Sequence, residues 1–256
     1  MVGAGGAFIL GPAFLIFFDL EPSVVAGTAL ALVSINSISG STAYRRMGLV
    51  DYRSGLLFAA AAIPGSVIAP FIVAEIAAST FRVLFGILLL ALGAQILARP
   101  RMSQDSSTRP RRRSGKMVRG RVIRTASGQV YRYAFNEPLA AGFNLLLGFI
   151  SSFFGTGGGF LRTPILVYAF NFPVRVAVAT SIFTLSFYTT AGAVTHASLG
   201  QVDWYPTFVW AGIGLVSGGQ VGARLTTKIE GPWILRLLLI VVLSLGIKLL
   251  VEGIWG

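Results

Sequence analysis

Six stretches of this chain carry no formally charged side chain: Pro22–Tyr44, Ser54–Ala74, Val83–Ala98, Pro138–Leu161, Val176–Val202 and Trp204–Ala223. A seventh apolar run, Pro232–Leu250, holds only Arg236 and Lys248, near its ends, where long stems let the charge reach water. A helix needs about 20 apolar residues to cross the hydrocarbon of a bilayer. Most of these runs are long enough, and a helix satisfies its backbone polar groups locally, as lipid demands. A membrane barrel would instead show short alternating strands, which these runs lack. Charged residues make up 12% of the chain and hydrophobic ones 54%, with a mean hydropathy of +0.76. A soluble domain carries about a quarter charged residues, so an ordinary soluble enzyme is excluded. The chain reads as an all-α polytopic membrane protein.

With no cysteine there is no disulfide framework and no thiolate metal site, and a single histidine argues against a His-rich metal centre. We therefore expect neither metal nor cofactor. The net charge of +12 is concentrated: Arg99–Glu137 holds eleven basic and two acidic residues, whereas the rest holds ten and seven. This segment is a basic patch for nucleic acid or anionic lipid, or else a cytoplasmic loop whose arginines set orientation. The second reading is favoured because the segment divides two apolar halves. We expect no nucleic-acid partner. Its later part, Arg121–Phe135, alternates around Ser127-Gly128 as a small hairpin would.

A shift of 152 positions aligns Gly3–Tyr52 with Gly155–Trp204 without a gap, with thirteen of fifty positions identical. The punctuation is the better argument. Gly3, Gly5, Gly6, Phe8 and Pro12 meet Gly155, Gly157, Gly158, Phe160 and Pro164; Thr28, Ser34 and Gly40 meet Thr180, Ser186 and Gly192; Gly48…Asp51 meets Gly200…Asp203. This is an internal duplication. It divides the chain into a first transmembrane repeat (1–98), a basic loop (99–137) and a second repeat (138–256).

Charge gives the two repeats their handedness. If each is a hairpin of half-helices followed by three crossings, and the loop is cytoplasmic, eighteen of the twenty-one basic residues fall inside. Three crossings per repeat is odd, so the repeats are inverted, the arrangement in which transporters hold their site near the bilayer midplane. The expected location is the cytoplasmic membrane of a prokaryote, with the C-terminus outside. Seventeen apolar residues (138–154) precede the second glycine cluster but only Met1 and Val2 precede the first, so an N-terminal half-helix is expected to be missing.

Phe154-Gly-Thr-Gly-Gly-Gly-Phe-Leu-Arg-Thr-Pro164 is the strongest local motif. Glycines there either let helices pack closely or bring bare amides and a half-helix N-terminus to an anion. The recurrence of Gly157 and Gly158 at Gly5 and Gly6, with Ala7 opposite Gly159, favours the ligand site. Together with Val178-Ala-Thr-Ser181 and Gly200-Gln-Val-Asp203, and with a looser first copy, this pattern resembles the sulfite exporter TauE/SafE family of membrane permeases. The resemblance implies transport of a small sulfur-containing anion, sulfite or an organosulfonate such as sulfoacetate.

Around this motif we single out Thr28, Ser34, Asn36, Thr180, Ser181 and Ser186 as polar candidates on the paired helices. Asn36, Ser34 and Ser186 are expected to face the interior, because an amide in lipid is unfavourable; Thr28 and Thr180 either cap or bind. Arg162 is ionisable within a membrane-embedded segment. It either complements an anion or snorkels to water. Asp51 and Asp203 read as helix N-caps, and His196 as an interfacial residue. The leading function is a secondary permease for a small anion, acting by alternating access in the lipid bilayer, with homo-oligomerisation left open. The alternative is a non-transporting assembly factor or scaffold acting through the basic loop. An intramembrane enzyme would need a nucleophile with its base, or paired carboxylates, and the charge-free spans offer neither.

Overall fold

The computed structural model describes residues 7–18, 20–97, 118–126, 128–226 and 231–255. Two helices open the chain, α1 (Ala7–Phe17) and α2 (Pro22–Arg46), followed by α3 (Tyr52–Ala74) and α4 (Ala78–Leu97). A β-hairpin, β1 (Val118–Arg124) and β2 (Val130–Asn136), leads directly into α5 (Glu137–Phe153). Then come α6 (Gly159–Tyr168), α7 (Val174–Ser198), a kinked segment at Trp204–Phe208 in which Tyr205 is extended, α8 (Val209–Thr226) and α9 (Gly231–Trp255). Among the described residues four helices are long and apolar enough to cross a membrane: α2, α3, α4 and α7.

Local chemistry sets the ends of these elements. Proline opens α2, where its missing N–H costs nothing. Asp51 caps α3, its carboxylate accepting from the Ser54 amide at 3.1 Å. Asn136 caps α5 in the same way through the Leu139 amide, at 3.2 Å. The uncharged run 138–161 is broken into two half-helices by a bend in which Gly155, Gly157 and Gly158 all have positive φ, a region that costs a side chain but not glycine. The helices α1 and α6 begin 152 positions apart and each carries a proline inside, Pro12 and Pro164.

Helix pairs meet as α2 with α7, α3 with α5 and with α7, and α4 with α9. Small residues bring α3 and α5 together. A Cβ on Gly148 would stand 2.1 Å from the Ala62 carbonyl oxygen, and one on Gly65 would stand 2.4 Å from that of Leu145. The outer surface is apolar, with Leu56, Phe71, Ile87, Val194 and Trp210 exposed. Polar groups are turned inward: Thr28, Ser54, Ser66, Thr180, Thr184 and Thr189 are fully buried. That inside-out distribution suits lipid as the solvent.

The hairpin falls where alternation predicts it, but it is not a free loop. Its inner face, with Tyr133 and Phe135, packs on Phe58 of α3 and on Phe170, Phe172, Val176 and Ala177 around the α6–α7 connection. Arg121 pairs with Glu137 and stands 3.7 Å from Asp51, and Arg119 pairs with Glu137 at 3.2 Å. The Tyr133 hydroxyl donates to Asp51 at 2.6 Å, and the Ala126 amide donates to the Met47 carbonyl at 3.2 Å.

Candidate polar site at the glycine bend

The glycine bend places Arg162 on the first turn of α6, and its side chain is fully buried. Snorkelling to water is therefore the reading the structure rejects. The guanidinium is held from two sides. Its Nε donates to Asn144 Oδ1 of α5 at 2.7 Å, and its plane lies over the Tyr188 ring of α7, 4.5 Å from the centroid. Tyr188 is fixed in turn, its hydroxyl donating to the Gly157 carbonyl. Both terminal nitrogens of Arg162 lack a hydrogen-bond partner in the protein. Among the described residues no carboxylate pairs with it.

Buried side-chain hydroxyls without a partner accompany it: Ser151 and Ser152 on α5, Thr156 in the bend, Thr163 on α6 and Ser181 on α7. Gly158 lies against one member of this group, Ser151, and against Tyr188. A Cβ there would come 3.1 Å from Ser151 Cβ and 3.4 Å from the Tyr188 hydroxyl. A fully buried cation with two unsatisfied nitrogens, in a bundle that also buries unpartnered hydroxyls, costs several kcal/mol unless an acceptor with negative charge enters. The arrangement can bind; it offers no nucleophile–base pair for covalent chemistry.

The other expected site residues fall as follows. Gly157, Gly158 and Gly159 lie in the bend beside Arg162, and Ser181 is buried with its hydroxyl free. Thr28 and Thr180 are buried, and their hydroxyls serve aspartate amides. Thr180 Oγ1 accepts from the Asp51 amide at 3.0 Å and Thr28 Oγ1 from the Asp203 amide at 2.9 Å. These two bonds relate positions 152 apart and run in opposite senses between the halves. Ser34 is buried and bonded to Thr190 at 2.8 Å. Ser186 is half-buried and bonds back to its own helix at the Phe183 carbonyl, 2.8 Å away, as membrane hydroxyls often do. Asn36, expected to face the interior, is only half-buried, because α2 turns that face past its neighbours. Gly5 and Gly6 lie outside the described residues.

His196, expected at an interface, is fully buried, because Gly27 of α2 lets the backbones close over it: a Cβ on Gly27 would stand 3.0 Å from His196 Cβ. Asn144 and Tyr188 are neighbours of Arg162 that the candidate residues named from the sequence do not include. The rule applied to Asn36, that an amide in an apolar helix needs a partner, would have found Asn144 as well.

The sequence has counterparts along nearly its whole length. The family described as "Sulfite exporter TauE/SafE" matches residues 1–249. "Probable membrane transporter protein YunE" of Bacillus subtilis is 29% identical over 263 residues, covering 100% of this chain and 93% of the relative. A "Probable membrane transporter protein" of Xylella fastidiosa (strain Temecula1) is 26% identical, covering 90% of this chain and 80% of its own length. "Probable membrane transporter protein MJ0441" of Methanocaldococcus jannaschii is 24% identical, with 93% and 85% covered. No solved structure matches the chain significantly. With a match running along nearly its full length, this chain belongs to the sulfite exporter TauE/SafE family.

Proposed function

We propose that the protein is a secondary permease for a small anion, sulfite or an organosulfonate, with the anion held at Arg162. The observation that carries this reading is the fully buried guanidinium, which has two unpartnered nitrogens and no carboxylate beside it among the described residues. An intramembrane charge kept without a counterion is a binding feature before it is a structural one. Its planar fork suits an oxyanion, which accepts two parallel N–H bonds. Asn144 and Tyr188 hold the fork in place, and the hydroxyls of Ser151, Thr163 and Ser181 stand in for the water the anion leaves behind.

Two inverted repeats, residues 1–98 and 138–256, rock about this site and expose it alternately. The duplicated glycine, proline and aspartate punctuation, and the opposed bonds Thr180–Asp51 and Thr28–Asp203, support this arrangement. The basic loop is then cytoplasmic and the C-terminus outside. Reporter fusions at Leu199 and Gly115 are expected on opposite faces; both on one face would overturn the inverted topology.

The decisive experiment is sulfite and sulfoacetate uptake into proteoliposomes. Arg162→Gln, which keeps a hydrogen-bonding side chain and removes the charge, is expected to lose saturable uptake while the protein still inserts. Unchanged uptake would remove Arg162 from the site. Uptake of no anion by the wild-type protein would leave the scaffold reading, in which deleting Arg109–Lys116 abolishes partner recruitment.

A further inference from the structure

The one histidine of the chain is placed for proton chemistry that anion binding at Arg162 does not use. His196 lies near the C-terminal end of α7 and is fully buried. Its Nδ1 is 2.7 Å from Gln201 Oε1 and its Nε2 is 3.2 Å from the Ser152 carbonyl oxygen. A carbonyl only accepts, so Nε2 carries a hydrogen. The Gln201 amide is oriented by its own Nε2, which donates to the Pro70 carbonyl at 3.2 Å. Turning that amide over would set its oxygen against the Pro70 oxygen. The group facing Nδ1 is therefore also an acceptor, and Nδ1 carries a hydrogen too. A neutral imidazole has one N–H; two make it an imidazolium.

The charged groups of every element packed around the ring stand apart from it. On α2, Tyr44, Arg45 and Arg46 lie at the far end, and Glu21, just before its start, is exposed. On α3, Tyr52 and Arg53 begin the helix, and Glu75 beyond its end is exposed. On α5, Glu137 lies at the opposite end and is taken by Arg121. In the connection, the Asp203 carboxylate accepts the Thr207 hydroxyl at 2.5 Å. On α7 itself the groups are Arg175, at its opposite end, and Tyr188, two turns away. Among the described residues no carboxylate forms an ion pair with His196, so neutral acceptors alone hold the second hydrogen.

We infer that His196 is a proton-binding site, loaded on both ring nitrogens in this conformation, and that its proton travels with the anion. The coupling half of this inference rests on the permease reading; the proton site itself does not. Coupling follows from charge. Tyr188, on which Arg162 stacks, and His196 are eight residues apart on one helix, about 12 Å of axial rise. Two like unit charges at about that spacing, in an effective dielectric of roughly 20, weaken each other by about tenfold. An anion on Arg162 lifts that repulsion, so it tightens proton binding at His196 by the same factor, and by linkage the proton tightens anion binding. The ring takes its proton from water on one side and returns it to water on the other.

A single histidine gives a single set of imidazole resonances, so the test reads His196 directly. In wild-type protein labelled with nitrogen-15 histidine and held in nanodiscs, both ring nitrogens are expected at protonated-type shifts at pH 6. Sulfoacetate should raise the proton affinity about tenfold, and Arg162→Gln should do so without sulfoacetate. A bare, unprotonated ring nitrogen at pH 6 would overturn the site. In proteoliposomes with a trapped pH indicator, sulfoacetate influx is expected to acidify the lumen, since its acid groups do not titrate near neutrality. His196→Gln should move sulfoacetate without acidification. Acidification that survives in His196→Gln overturns the coupling. Absence of any sulfoacetate or sulfite flux in wild type overturns the permease reading and the coupling with it, while the resonances still decide the proton site.

Discussion

Replacing Arg162 with methionine should make the unliganded protein more stable while removing its response to anions. Methionine reproduces the arginine stem as far as Nε and brings no charge into the site. Two unpartnered terminal nitrogens leave with the guanidinium, each relieving about 1–3 kcal/mol of unmet desolvation. Against this, Asn144 Oδ1 loses the Nε donor at 2.7 Å, which costs about 1–3 kcal/mol, and the stack on Tyr188 at 4.5 Å is worth about 0.5–2 kcal/mol. The balance favours the variant by about 1 kcal/mol, in line with the general finding that apolar replacement of buried ionic groups is often stabilising. Anions reverse the order. A ligand at about a hundred times its dissociation constant stabilises the wild type by about 2.7 kcal/mol and the variant not at all. The assay is thermal unfolding of purified protein in detergent, with and without sulfite, at fixed ionic strength. The reasoning fails if Arg162→Met unfolds well below the wild type without sulfite yet gains as much from sulfite as the wild type does.

The remaining perturbations address the ends of the bundle. Thr180→Val leaves the buried Asp51 amide, and Thr28→Val the half-buried Asp203 amide, without its acceptor, and each is expected to cost about 1–3 kcal/mol in denaturant titration; a loss confined to one of them would show that the two bonds are not equivalent. Burial, with the Asp51 carboxylate beside it, holds the Tyr133 hydroxyl above its ordinary value near 10, so its stabilising bond is fully present below about pH 10 and is lost as pH rises through the shifted value. Limited proteolysis of the hairpin should therefore accelerate only above about pH 10, and Tyr133→Phe should cut faster at neutral pH and lack the alkaline step.

The legible part of this molecule was the part written in local chemistry. Asp51 announces a helix start, whereas Asp203, read the same way, makes no side-chain cap bond, and the alternation around Gly128 announces a hairpin. The glycines at 155, 157 and 158 announce a bend inside what would otherwise be a single span. What local pattern does not carry is the direction of a long side chain. Arg162 sits in a segment short enough for its charge to reach either interface, and only the partners Asn144 and Tyr188, 18 and 26 residues away, decide that it stays inside. The burial of His196 likewise depends on how closely α2 approaches at Gly27, a tertiary distance rather than a residue preference. The basic segment misleads for the same reason. Its arginines suggest a solvated loop, whereas the side chains facing the bundle, Tyr133 and Phe135, are among its best-buried aromatics.

That hairpin makes the two ends of the bundle unequal. Each end is fastened by one threonine-to-aspartate bond, but at Asp51 a second fastening is clamped over the first: a phenol, a guanidinium and an aromatic underside, all carried on a ribbon that runs without a break into α5. If the halves rock, the end at Asp203 parts by breaking hydrogen bonds between uncharged groups, the Asp203 amide to Thr28 and Gln201 to the Pro70 carbonyl. The clamped end must also strip a buried carboxylate of its donors. A duplicated chain whose two copies were free to trade places would spend equal time facing either way. This one carries a hasp on one side only, and if its halves do rock, that side is the costlier to open.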